Sequence, residues 1–155
     1  MSRNVSAILA AGLWINASEF LRNEVILKGF WVAHYKTLGL TFPDSAVNGM
    51  LWIVWGFVCA ITIFAISRRF ALAGATALAW TIAFVMMWIV TFNLDVLPPA
   101  LLAFAVPLSI LEIFVATLIC RKLAPPEEAG ANQAVVRLGM PTGSTANQTH
   151  SIVVS

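Results

Sequence analysis

Residues 15–28 read INASEFLRNEVILK, and whether they cross a membrane decides between three spanning helices and four. They place Glu19, Arg22 and Glu24 at the far end of an apolar run that begins at Val5. A charge at mid-bilayer costs roughly 2.5–3.5 kcal/mol even on the lenient insertion scale, so such groups must share a face turned away from lipid. At about 100° per residue, Asn16, Ser18, Glu19, Arg22 and Asn23 fall in one half of the helical wheel. Trp14, Ala17, Phe20, Leu21 and Leu27 fall in the other. Ile15 and Ile26 interrupt the polar half, while Glu24 lies off it, close enough to the boundary to reach water. The small residues Ala11 and Gly12, one turn before Asn16, suit close approach of a neighbouring helix. Glu19 and Arg22, three residues apart, can neutralise one another on one helix. We therefore read a first spanning helix over about 5–27, with a polar sector facing the protein interior.

Three further runs, about 47–66, 70–92 and 99–120, are each near the twenty or so apolar residues that cross a bilayer. They lack the alternation of barrel strands, which leaves helices as the way to satisfy the backbone in lipid. With 60% hydrophobic and only 10% charged residues, the 155-residue chain is all-α: an integral membrane four-helix bundle occupying residues 1–123. Residues 124–155, rich in Pro, Gly, Ala, Ser, Thr and Asn, read as a disordered tail. A rival reading makes Arg3, the run to Ile15 and Asn16-Ala17-Ser18 a cleavable signal peptide; Ile15 fits the small-residue cleavage rule poorly.

Orientation follows from the loops. Arg68 and Arg69 occupy the turn between helices two and three, and Arg121 and Lys122 follow helix four, which places both sites, Arg3 and both termini on the cytoplasmic side. The loop NLDVLPP at 93–99 carries Asp95 and no cation, as an outer loop would, and Trp52, Trp55 and Trp88 lie toward the same boundary. Residues 29–46 form an outer loop whose Phe30, Trp31 and Tyr35 rest among headgroups, and Asp44 or Ser45 caps helix two. Short loops without organelle signals point to a bacterial inner membrane. The Asn-X-Ser/Thr triplets at Asn4, Asn16 and Asn147 are discounted as glycosylation sites, being cytoplasmic or membrane-embedded.

Helix four carries the second intramembrane acid. Glu112 lies about 12 Å from the cytoplasmic end at 1.5 Å per residue, on a face with Ala105, Ser109 and Ala116. Pro107 frees the carbonyl of Ala103. Matching depths makes helices one and four neighbours, with Asn16 beside Glu112 and Arg22 toward the freed carbonyl. The expected intramembrane polar cluster is thus Asn16, Ser18, Glu19, Arg22, Asn23, Ser109 and Glu112. Gly49, Gly56 and Ala60, and Ala71, Ala75, Ala79 and Ala83, are small-residue ladders for helix contact.

The chain contains no HExxH, GxSxG, CxxC or Gly-rich phosphate loop. His34 has no nearby metal-ligating companion, and Cys59 and Cys120 sit at different depths, so neither a metal, a cofactor nor a disulfide is implied. The scattered cations form no nucleic-acid stripe. The expected partners are the lipid bilayer and a membrane protein or second copy. The favoured function is a non-catalytic component that binds or stabilises a membrane partner or complex. The alternatives are a small proton-coupled transporter using Glu112 or Glu19 and, ranked last, a membrane enzyme acting on a lipid or quinone.

Overall fold

The computed structural model describes residues 2–125, and those residues are helical with short connections. The predicted tail, apart from Ala124 and Pro125, lies outside the described residues. Helix α1 spans Arg3–Phe20 and continues as a π-helical turn, Leu21–Ile26; α2 covers Lys28–Thr37 and α3 Ala46–Ser67. Helices α4, Leu72–Trp80, and α5, Met86–Asn93, are halves of one rod joined by a second π-helical turn, Thr81–Val85. A 3-10 turn at Pro99–Leu101 opens α6, Leu102–Leu123.

Three of these rods, Ala46–Ser67, Leu72–Asn93 and Pro99–Leu123, are long and apolar enough to cross a membrane, and the chain is an integral membrane protein on that ground. Their surfaces agree. Leu51, Val54 and Val58 of α3 and Met86, Ile89 and Phe92 of α5 are all more than half exposed, a surface that lipid covers and water does not.

Helix α1 packs against α3 and α6, and the α4 rod against the same two. The core where they meet is built from Ala11 and Ile15 of α1, Ala60 and Ile63 of α3, Ala79 and Phe84 of the α4 rod, and Ile113, Ala116 and Cys120 of α6. Small residues dominate because, with lipid as apolar as a leucine side chain, helices gain from close backbone approach and dispersion rather than from escape from water. Of the predicted ladders, Gly56, Ala60, Ala75 and Ala79 are buried as packing residues, whereas Gly49 is exposed with open space beside it. A Cβ on Gly56 would sit 2.6 Å from Asn16 Nδ2, so Gly56→Leu is expected to part α1 from α3 and destabilise the protein by about 1–3 kcal/mol. Gly49→Leu, seven residues earlier on the same helix, should change stability little. Reversible unfolding in mixed detergent micelles compares the two, and equal effects would contradict this packing.

At the end bearing Arg3, Arg68 and Arg121, cationic side chains close the orphan carbonyls of helix termini. Arg121 Nη1 donates to Ser67 O at 3.0 Å and Phe70 O at 2.8 Å, and Arg3 Nε to Leu123 O at 3.3 Å. Ser45 is the N-cap of α3, its hydroxyl accepting from Asn48 N at 3.4 Å. The segment predicted as an outer loop, 29–46, is instead helical over Lys28–Thr37. It ends at Gly39, whose φ of +69° reverses the chain. His34, expected to be a free loop residue, lies on this helix with Nε2 at 2.8 Å from Asp95 O, so α2 is fastened to the α5–α6 connection.

Candidate functional site

The polar residues of α1 converge with α6 as their spacing predicts. Arg22 is 5% exposed and Glu112 1%. Arg22 Nη2 donates to Glu19 Oε1, and its Nη1 forms an ion pair with Glu112 Oε2 at 3.4 Å. The guanidinium carbon stands 4.6 Å from the centre of the Phe84 ring, a desolvated cation–π contact of a kind worth about 2 kcal/mol. Ser18 Oγ donates to Glu112 Oε2 at 2.9 Å, and Asn23 Nδ2 to Glu19 Oε2 at 2.7 Å. Trp31 Nε1, from α2, donates to Asn23 Oδ1 at 3.2 Å. Glu112 Oε1 and Arg22 Nη1 have no hydrogen-bond partner, so the network is incomplete at its centre. Two carboxyls share one guanidinium, so one acid of the buried cluster has no cation of its own.

Both π-helical turns lie at this cluster. An extra residue per turn breaks the 3.6 periodicity, shown where Leu27 N bonds Arg22 O at 2.8 Å. Arg22 sits on the first turn and Phe84, fully buried, on the second. The wider turns aim guanidinium and ring at each other across the interior.

One expected pairing is corrected. Asn16 does not serve Glu112: its amide donates to Gly12 O at 2.8 Å and Ile53 O at 3.5 Å, because it turns into the gap that Gly56 leaves on α3. Ser18 takes the place by Glu112. Arg22 bonds Glu19, the pair their spacing allows, since a carboxylate outcompetes a neutral carbonyl acceptor. Ser109 stands apart from the ion cluster, accepting from Trp80 Nε1 at 2.9 Å and donating to Val106 O at 2.9 Å. Trp14, assigned to the lipid-facing half, instead reaches α6 and donates to Glu112 O at 3.0 Å.

Above the cluster lies a cavity of about 920 Å³, bounded by α1, α2, the start of α3, the end of α5 and the start of α6. Asn16, Glu19, Arg22 and Asn23 form its polar floor, and Glu24, Lys28, Asp44 and Asn48 its rim. Glu112 is not part of the lining; it supports the floor from behind. Leu13 and Phe20 of α1 and Trp52 and Ile53 of α3 also line it while remaining largely exposed, so the cavity reaches the apolar surface between these helices. Lys28 Nζ pairs with Glu24 Oε2 at 2.6 Å, and that carboxylate, with a smaller contribution from Asp44, holds the ammonium above its usual value of 10.5. This pairing supports the folded state below pH 10.5 and is lost as pH rises through the higher folded value.

No family model, curated protein or solved structure matches this chain.

Proposed function

We propose that the protein is a four-helix inner-membrane bundle with both termini cytoplasmic, and that it works as a non-catalytic binding protein for a small molecule. The first rod joins the three apolar spans because its charged face is turned onto α6 and compensated there. The arginines gathered at one end of the rods support the orientation.

The cavity is the observation that carries the binding role. It has the volume and mixed apolar and polar lining of a small-molecule site, and its floor is held rigid by ion pairs rather than by a mobile loop. The sequence points to a membrane protein or a second copy as partner; the cavity adds a small molecule, held within the membrane, as the ligand of this site. Gly49→Trp tests this, because the added ring enters open space on the cavity wall. Protein purified from native membranes should carry a bound small molecule detectable by mass spectrometry, absent from Gly49→Trp at unchanged thermal stability. The same bound species on both proteins, or none on either, would contradict the reading.

A proton-coupled carrier is the second reading, favoured by Glu19, whose carboxyl belongs both to the cavity floor and to the buried cluster. There a proton and a cationic ligand would compete for the same carboxylate. Ligand-driven proton movement in liposomes, lost in Glu19→Gln, would replace simple binding with this mechanism.

A further inference from the structure

Resting on the binding reading, we propose that the cavity takes an amphipathic organic cation, an amine or quaternary onium carrying an apolar body, entering sideways from the bilayer between α1 and α3.

The charges of the wall decide the sign. Arg22 is bracketed by Glu19 and Glu112 and covered on one face by Phe84, so its charge is already spent within the protein. Lys28 is paired with Glu24. Asp44 makes no ion pair among the described residues, and the buried cluster holds an acid in excess. An anionic ligand would meet Arg22 Nη1 with Glu112 Oε2 already at 3.4 Å and Lys28 already paired, whereas a cation finds Asp44 without breaking an ion pair. Glu112 Oε1 and Arg22 Nη1, one acceptor and one donor, are both without a hydrogen-bond partner and leave this balance unchanged.

The walls supply the rest. Phe20, Trp31, Tyr35, Phe42, Trp52 and Trp88 line the cavity. Aromatic faces attract onium groups through the ring quadrupole and are too apolar to compensate an anion. Trp31 is fixed by its bond to Asn23, and Tyr35 and Phe42 meet edge to face with centroids 5.5 Å apart, so these rings are set before any ligand arrives. The opening between the exposed side chains of Leu13 and Phe20 on one helix and Trp52 and Ile53 on the other faces lipid, which favours an amphiphile over a fully hydrated ion.

Tetraphenylphosphonium and tetraphenylborate share shape and apolar surface and differ in charge sign, which isolates the claim. Binding to full-length protein in neutral-lipid nanodiscs, measured by calorimetry against empty nanodiscs, should favour the phosphonium by about tenfold or more. Asp44→Asn should weaken phosphonium binding about threefold, less at high salt, and Gly49→Trp should abolish it. Equal affinity for the two ions, or preference for the borate, would overturn the inference and leave a binding cavity of another specificity. Binding of neither ion, with benzyltrimethylammonium also inert, would overturn both the inference and the binding reading. Phosphonium binding unchanged in Gly49→Trp would show that the ion sits elsewhere, and would overturn the inference as well.

Discussion

Arg22→Met is expected to destabilise the protein by about 3–5 kcal/mol, the largest effect of any single side-chain replacement within the helices. The methionine fills much of the same space, so the loss is electrostatic rather than steric. Arg22 is the one cation that Glu19 and Glu112 share within the described cluster, and both carboxyls are almost wholly buried. Removing it leaves two acids facing each other in a medium without water to receive them, with only Ser18 and Asn23 still donating. Adding Glu19→Gln and Glu112→Gln to Arg22→Met should restore most of the loss, because neutral amides can donate to one another where carboxylates cannot. Reversible unfolding in mixed micelles measures both. An Arg22→Met protein within about 0.5 kcal/mol of wild type, the ordinary range of a surface change, would mean that the ion cluster does not hold α1 to α6.

That α1 and α6 would be neighbours was legible in the sequence, because lipid leaves a charged side chain few places to go. Once Glu19, Arg22 and Glu112 had to face inward, depth counting brought the helices together. Finer pairing was not legible. Depth counting favours Asn16 as the partner for Glu112, and only the absence of a side chain at Gly56 draws Asn16 to α3 and leaves the place to Ser18. Trp14 was placed by wheel angle alone, yet an indole is long enough to reach from the edge of a face to the Glu112 carbonyl. Helix α2 escaped because its apolar and polar residues trace neither a spanning run nor a clean stripe, and none of its residues is fully buried. The π turns carry no composition signature, and each shifts the phase of the helix beyond it. For this reason Phe84 could not be assigned to Arg22 from spacing, nor the cavity from any segment by itself.

Phase is also the lever for the second large effect. Deleting Val25, which is 62% exposed and makes no part of the cluster, should convert the first π turn into ordinary α-helix. Residues before it keep their places, so Glu19 and Arg22 remain on Glu112. Everything after it rotates by about 100° and retreats by about 1.5 Å. Leu27, 1% exposed in a second apolar cluster with Leu97, Leu101 and Ala105, would be carried out of that cluster. With it would go α2, breaking the bonds from Trp31 to Asn23 and from His34 to the Asp95 carbonyl. The cavity would then lose the wall made by Trp31 and Tyr35 while its charged floor survived. Hydrogen exchange should accordingly rise across 28–42 and 94–101 but stay protected in α6, and phosphonium affinity should fall at least about tenfold. Unchanged exchange and affinity would mean that the extra residue has no part in setting the site. Accelerated exchange throughout α6 would instead tie the π turn to the whole bundle rather than to its outer half.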